Sequence, residues 1–236
     1  MKHVILNNEY DFIFSIGEAC SCSSTLRQSG LQFESYPLDW LYGGDIRTRT
    51  ELLVNNFDNF INKEDLQFGG QRKFPQPCDI YANISNKIVF NHDFPYDGNL
   101  DVDYSFVKEK YDRRIKRLYD NIEKANKILI VYMEAPNTLK KNIFRVKNVL
   151  RDCYSKISSK WSGKNICLLY LTSRKPLFFT QNINIVNKNV ILIQFDYRHS
   201  DLTTEPHVVN QNLLCHFFRN IKLSKNVVVT QEKIND

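Results

Sequence analysis

The sequence has little of what marks fibrous, disordered or membrane-spanning chains. Its 236 residues include only 8 Gly and 7 Pro, which excludes collagen-like and low-complexity classes. Aromatic residues make up 13% and apolar segments recur along the whole length, which excludes an intrinsically disordered chain. No window approaches the roughly 18–20 uninterrupted apolar residues of a transmembrane helix. The length suits one α/β domain with a substantial core, and we expect residues 1–236 to form a single domain.

The sequence also lacks a secretory leader and a concentration of charge of one sign. Residues 1–14 hold one Lys and a short apolar patch but no small-residue cleavage site, so we expect a soluble, cytoplasmic protein without a membrane span. Lys and Arg exceed Asp and Glu by 32 to 26, but the densest basic segment, 108–117, is interrupted by acids. A nucleic-acid binder usually concentrates its cations, so we expect no nucleic-acid partner. Segment 108–117 is typical of a solvated helix face, with an anion-binding stripe as the alternative.

Metal-binding spacing is absent as well. The six cysteines occupy positions 20, 22, 78, 153, 167 and 215, without a Cys-x-x-Cys pair or a matched His pair. Zinc sites need such pairs, so we expect no metal site and no other cofactor. In a chain of this length without a leader, the cysteines are expected to be free thiols.

Apolar runs and helical spacing alternate along the second half of the chain. Strands that read as continuous apolar runs are typical of sheets covered by helices on both faces. We predict an α/β fold: a single three-layer domain with a mostly parallel sheet, Rossmann- or SGNH-like in its layering, and a β-hairpin insertion around 79–94. The predicted strands are 10–16, 128–133, 166–171, 190–195 and 226–230, and 66–77 is predicted as a loop. The predicted helices are 23–29, 45–60, 103–125, 139–160 and 208–223.

The first candidate group is a thiol directly after the first predicted strand. Cys20 follows that strand where the chain turns into a helix. Ligands gather at the carboxyl ends of strands in open α/β sheets. The helix dipole and the unpaired amides there lower the pKa of a thiol and stabilise a developing oxyanion. The alternative is a thiol that only packs under the helix.

His92 is the candidate base for that thiol. A catalytic thiol needs a base within hydrogen-bond reach and a third group that orients the base. Asp93 adjoins His92, but strict strand alternation points the two side chains apart. Asp39 lies in an apolar turn, where an acid needs a partner. It either orients His92, caps the next segment or binds a substrate hydroxyl, and His92 could equally serve only to satisfy loop carbonyls.

A later acid and histidine, Asp201 and His207, are similar to the Asp/His pair of SGNH hydrolases. Their spacing is loose, and no Gly-Asp-Ser nucleophile block follows the first strand. We therefore rank this pair below Cys20 and His92.

Several motifs together resemble an uncharacterised family of bacterial and viral proteins described as papain-like cysteine peptidases. The family pattern is a strand ending in Ser-Leu-Gly, a Cys three residues on, then Leu-Arg, Gly-Leu and Tyr-Pro-Phe-Asp-Trp. A His-Asp-Phe motif and a Lys-Tyr-x-Arg-Arg helix follow. In this chain the motifs lie at 15–17, 20, 26–27, 30–31, 36–40, 92–94 and 110–114. Ile16 and Leu38 are conservative departures, and the resemblance covers about residues 10–135.

The resemblance implies a thiol-dependent hydrolase that uses Cys20 and His92 on a peptide or amide bond, with Asp39 or Asp93 as the orienting acid. We expect Cys20, His92 and Asp39 to meet in one cleft. The candidate substrate- or anion-binding residues are Arg27, Trp40, Lys110, Arg113 and Arg114.

Two alternatives stay open. Family members are associated with surface-polysaccharide synthesis, which implies an acyl- or glycan-modifying transferase as a rival activity. In that case Lys110, Arg113, Arg114 and Arg117, which share one side of a helix, would hold a phosphate or a coenzyme A tail. The other alternative is a non-catalytic binding domain. The partner is accordingly a peptide, a glycan or a nucleotide-linked substrate.

Overall fold

The computed structural model describes residues 8–135, 143–174, 181–196 and 211–224. In chain order the strands of these ranges are β1 Glu9–Tyr10, β2 Phe12–Ser15, β3 Leu41–Gly43, β4 Leu66–Arg72, β5 Cys78–Asn83, β6 Ile88–Phe94, β7 Lys127–Met133, β8 Asn165–Arg174, β9 Gln181–Asn187, β10 Val190–Asp196 and β11 Lys222–Leu223. The helices are α1 Ser21–Gln28, α2 Ile46–Val54, α3 Leu100–Lys124, α4 Ile143–Lys160 and α5 Gln211–Phe218. The predicted segments 139–142, 208–210 and 226–230, together with Asp201 and His207, lie outside the described residues.

The larger sheet has five strands in the order β2-β7-β8-β10-β9. The first four run parallel, and β9 pairs antiparallel with β10. One face packs against α2, α3 and α4, and the other packs against α1 and α5. Because both faces are covered, strands such as β7 are apolar throughout. None of the described helices is both long and apolar enough to cross a lipid bilayer.

The second sheet is antiparallel, with the order β3-β6-β5-β4. It contains the predicted hairpin as β5 and β6. Strand β4 falls in segment 66–77, which we predicted as a loop, because its Gly-Gly and polar residues show no strand alternation. It forms a strand because it pairs along β5 as an exposed edge.

The α/β class is confirmed, but the expectation of one mostly parallel sheet does not hold. The larger sheet is mixed, the second is antiparallel, and a short parallel pair joins β1 to β11. The hairpin forms the centre of a separate sheet, since the neighbouring β4 pairs with β5 and β3 pairs with β6 from a distant part of the sequence. Local patterns reveal strands but not these long-range pairings. That residues 1–236 form one domain stays a prediction.

Aromatic side chains pack the second sheet against α3. The rings of Phe60 and Phe90 each lie 5.4 Å from the ring of Tyr111, which is wholly buried on α3. Phe90 also contacts Phe94 at the end of β6, with the ring centroids 6.2 Å apart. This packing sets where the carboxyl end of β6 lies relative to α3.

Candidate active site

Cys20 lies at the carboxyl end of β2 and the start of α1. It is the N-cap residue of the helix, its backbone is already helical (φ −56°, ψ −22°), and the residue is half-buried. Its carbonyl accepts hydrogen bonds from the Ser24 N–H (3.0 Å) and the Ser23 hydroxyl (3.1 Å). The thiol therefore lies at the positive end of the helix dipole, where a thiolate is favoured.

Cys22, two residues further on, is a different kind of thiol. It is buried, its Sγ lies 3.6 Å from the Val131 carbonyl oxygen, and burial raises its pKa to about 12. The chain passes close over it at Gly17, where a Cβ would lie 2.3 Å from the Cys22 Cβ. Glycine is therefore required at this point of the loop. Cys22 is a structural thiol, and Cys20 is the accessible one of the pair.

Asp39 is wholly buried in the turn between α1 and β3. Its Oδ2 accepts hydrogen bonds from the Gln32 side-chain amide (2.6 Å) and the Tyr36 N–H (2.7 Å). Its Oδ1 has no hydrogen-bond partner in the part of the chain that the structure describes. Burial raises the pKa of Asp39 to about 7, although the Tyr36 N–H and the charges of Arg27 and Arg114 act in the opposite direction. The carboxyl group can therefore hold a proton near neutral pH.

Ser23 joins the Cys20 segment to the Asp39 turn. Its hydroxyl lies 3.1 Å from the Cys20 carbonyl oxygen and 2.9 Å from the Asp39 carbonyl oxygen. Two atoms that share one hydroxyl lie within a few ångström of each other. The backbone of the candidate nucleophile and the backbone of the buried acid are therefore neighbours, although about twenty residues separate them.

His92 lies on β6 with its ring exposed to solvent. Its Nδ1 is 2.8 Å from an Nη2 of Arg72. A guanidinium group only donates, so Nδ1 accepts and the ring is neutral with its proton on Nε2. Partial burial and the positive charge of Arg72 both lower the pKa of His92.

Removing the Arg72 charge is expected to raise the pKa of His92. In the variant Arg72→Met, the ring loses a nearby cation, so its pKa should move up toward its ordinary value of 6.5. A proton NMR titration of the imidazole resonances measures the change. Arg113→Met, which removes an exposed arginine of α3, is the control and should leave the His92 titration in place. An unchanged pKa in Arg72→Met would show that the contact is not made in solution.

Asp93 does not serve as the orienting acid for His92 in this arrangement. Its side chain, only 2% exposed, binds the Lys110 ammonium at 2.8 Å and accepts a hydrogen bond from the Tyr111 hydroxyl at 2.9 Å. These contacts place it against α3, where the ring of Phe90 also contacts Tyr111. Strict alternation does not extend from Phe90 to the end of β6, because the pairing of β6 with β5 shifts register there. Asp93 ties β6 to α3.

The pairing of β3 with β6 brings the Asp39 turn to the same end of the sheet as His92. Leu41 is opposite Phe90 in this antiparallel pair. The residues before Leu41, which are Trp40 and Asp39, therefore leave the sheet where the chain continues from Phe90 to His92. Through Ser23, that turn also adjoins the start of α1. The Asp39 turn therefore adjoins both the start of α1 and the end of β3 that pairs with β6. That Cys20 and His92 meet in one cleft stays a prediction.

Arg49, which no motif of the sequence indicated, is the largest wholly buried side chain of the described residues. Its three nitrogens donate to six backbone carbonyls, those of Gly17, Glu18, Leu38, Leu41, Gly43 and Gly44. Burial lowers the pKa of Arg49 to about 10. A signal was present, because Arg49 has the same helical spacing as the buried Ile46 and Leu53 and so shares the apolar face of α2.

Residues 11–174 match the family described as "Putative papain-like cysteine peptidase (DUF1796)". The chain belongs to this family. The match includes Cys20, Asp39, His92 and all of α3, so the resemblance inferred from the motifs is confirmed.

This DUF1796 chain also has a viral relative. A 149-residue segment is 30% identical to "Uncharacterized protein R408" of Acanthamoeba polyphaga mimivirus. The aligned segment is 57% of this chain and 66% of that protein, just under two thirds of the relative's length. No solved structure matches the chain.

Two of the predicted binding arginines in this DUF1796 protein border the Asp39 turn. The guanidinium of Arg27 lies 5.3 Å from the centre of the Trp40 ring, and the Trp40 indole N–H donates to Ser35 Oγ at 3.1 Å. The guanidinium of Arg114 lies 5.5 Å from the Tyr111 ring. Arg27 Nε and Arg114 Nη1 are both buried and have no hydrogen-bond partner within the described ranges.

The four cations predicted on one side of α3 do not form a free anion-binding stripe. Three of them bind acids, in the pairs Lys110–Asp93 (2.8 Å), Arg113–Glu109 (2.7 Å) and Arg117–Glu34 (3.5 Å). The Arg113 pair is exposed to solvent. Arg114 alone of the four has no acid at salt-bridge distance among the residues that the structure describes. Of the four predicted anion-binding cations, Arg114 is therefore the one left to bind an anion beside the Asp39 turn.

Proposed function

We propose that this protein is a thiol-dependent hydrolase of peptide or amide bonds, with Cys20 as the nucleophile and His92 as its proton acceptor. The observation that carries the proposal is the position of Cys20, a half-buried thiol at the N-terminus of α1 whose carbonyl shares the Ser23 hydroxyl with Asp39. The description of the family as papain-like cysteine peptidases supports the same chemistry.

The proposed reaction passes through an acyl-enzyme. Cys20 transfers its proton to His92, and the thiolate attacks the substrate carbonyl carbon, so that a C–S bond forms and the carbonyl oxygen takes the electron pair. When this intermediate collapses, the C–N bond breaks and His92 returns the proton to the leaving amine. Water then hydrolyses the thioester, which releases the acid and restores the Cys20 thiol.

This reaction requires Arg72 to move. In the resting arrangement Nδ1 of His92 already accepts a hydrogen bond from Arg72, and Nε2 carries the ring proton. His92 can take the thiol proton on Nδ1 only after Arg72 leaves that nitrogen. We assign a structural role to both acids. Asp39 stabilises the turn beside Cys20, because its carboxylate accepts a hydrogen bond from the Tyr36 N–H, and Asp93 anchors β6 to α3 through Lys110.

Selective alkylation of Cys20 tests the proposal. With a limiting amount of chloroacetamide at neutral pH, Cys20 should react about tenfold faster than Cys215, the other half-buried thiol, because the helix N-terminus favours its thiolate. Peptide mapping by mass spectrometry measures each site. The same label should be lost in Cys20→Ser and kept in the matched control Cys215→Ser, and only Cys20→Ser should lose cleavage of a peptide library. Equal labelling of the two thiols would remove the premise of an activated nucleophile.

A transferase is the second candidate. The observation that favours it is the pair of buried, unpaired nitrogens on Arg27 and Arg114, which could bind the phosphate of an activated acyl or glycan donor. A rise in melting temperature with coenzyme A, a sugar nucleotide or inorganic phosphate would favour this reading, and its loss in Arg114→Met would locate the ligand. A peptide or amide substrate without phosphate would give no such rise.

A further inference from the structure

Arg49 contacts the three segments that surround Cys20 and the Asp39 turn. It binds the carbonyls of the loop that precedes Cys20, the carbonyl of the residue before Asp39, and carbonyls in and after β3, which pairs with the strand of His92. No carboxylate lies at salt-bridge distance from it among the described residues, and its hydrogen bonds there all go to backbone carbonyls. Burying a charge costs desolvation energy, which its hydrogen bonds offset only in part, so Arg49 need not stabilise the fold. Its contacts instead fix the geometry of the loop before Cys20.

The loop before Cys20 is hydrogen-bonded on two opposite sides, by Arg49 and by the backbone of Met133. In the peptide between Gly17 and Glu18, the carbonyl faces Arg49 and the N–H donates to the Met133 carbonyl on the other side (2.9 Å). In a trans peptide the C=O and the N–H point in opposite directions. The two hydrogen bonds of this peptide have that geometry.

In the next peptide, between Glu18 and Ala19, the carbonyl is hydrogen-bonded and the N–H is not bonded to any described residue. The Glu18 carbonyl accepts hydrogen bonds from the Gly43 N–H (3.0 Å) and from Arg49 Nη2 (3.2 Å). The N–H on the opposite side belongs to Ala19, and it has no hydrogen-bond partner among the described residues. Ala19 directly precedes Cys20. A charged donor on the carbonyl also polarises the amide, which makes its N–H a stronger donor.

We infer that Arg49 is a positioning residue for acyl transfer at Cys20: it fixes the Glu18–Ala19 peptide so that the Ala19 N–H donates to the oxyanion formed when Cys20 attacks a carbonyl. The inference rests on the proposed function, because it needs Cys20 to be the nucleophile. A donor aimed at the place where negative charge develops lowers the barrier to acyl transfer, and loss of one such donor costs on the order of 10²–10³-fold in rate.

Two reagents separate this role from a general effect on the thiol. Acylation by p-nitrophenyl acetate forms a C–S bond, moves electrons onto the carbonyl oxygen, and then expels p-nitrophenolate, so it passes through an oxyanion. Alkylation by iodoacetamide forms a C–S bond and expels iodide without an oxyanion. Both reactions need the same Cys20 thiolate. Only acylation needs the Ala19 N–H.

The test compares Arg49→Lys with the wild-type chain. Lysine keeps the charge but lacks the planar fork that reaches several carbonyls at once. The acylation rate of Cys20 should fall about 10–100-fold, whereas its alkylation rate should stay within about threefold of wild type. Arg47→Lys, a change at an exposed arginine of the same helix, is the matched control and should alter neither rate. Thermal melting verifies that each variant is folded.

A second variant keeps the inference testable if Arg49→Lys does not fold. Ala19→Pro removes the N–H itself and should slow acylation while alkylation continues at the wild-type rate. Unchanged acylation in either folded variant, or an equal loss of both rates, would overturn the role of Arg49. If wild-type Cys20 reacts no faster than Cys215 with either reagent, the proposed function itself fails. That result is recognised before any variant is made.

Discussion

Asp39→Asn is expected to increase the free energy of unfolding at pH 9 by about 2–4 kcal/mol and to change it little at pH 3. The pKa of Asp39 is raised by burial from 3.8 to about 7. Between these two values the folded protein keeps a proton that the unfolded chain releases. Because of Asp39, the free energy of unfolding falls as pH rises from 3.8 to about 7. Above that range the whole loss caused by burying the ionised carboxylate is present. A neutral amide avoids this loss.

Urea unfolding of Asp39→Asn and wild type at a series of pH values measures the difference. The wild-type curve should lose stability across that window, and the variant should lack this part of the slope. Asp112→Asn, which removes an exposed carboxyl of α3, is the matched control. If Asp39→Asn is instead less stable than wild type at pH 9, then Arg27 and Arg114 outweigh burial and Asp39 works as an ionised partner.

Asp93→Ala is expected to lower the free energy of unfolding by about 2–4 kcal/mol. The carboxylate binds the Tyr111 hydroxyl, on a side chain that is wholly buried, and the Lys110 ammonium. Without it, the hydroxyl loses its partner inside the core. Lys110 is partly exposed and can turn toward water, which keeps the loss below that of a fully buried ion pair.

A double-mutant cycle identifies the source of this loss. Tyr111→Phe removes the hydroxyl that Asp93→Ala leaves unpaired, so the double variant should be more stable than the sum of the two single losses predicts. Denaturant unfolding of the four proteins at pH 7 gives the coupling energy. Strictly additive losses would contradict the assigned hydrogen bond. Asp112→Asn is again a suitable control, because its ion pair with Lys108 is exposed and should contribute little.

The sequence by itself determined the local elements that carry the site. The apolar run before Gly17 predicted β2, the residues after it predicted α1, and Cys20 falls at their junction. The hairpin around 79–94 was also evident, because alternation and a turn are properties of neighbouring residues. The combined motifs identified the family, since several exact spacings rarely coincide by chance.

Which side chains contact one another depends on how the elements pack together. Asp93 pairs with Lys110 and Tyr111, and Arg72 reaches His92 from β4, a segment whose sequence reads as a loop. Arg49 binds carbonyls from three segments, which no local pattern indicates because backbone acceptors are the same at every residue. The pairings of β2 with β7 and of β3 with β6 likewise join strands that are distant in the sequence. Such pairings depend on which combination of surfaces packs best, and that is a property of the whole chain.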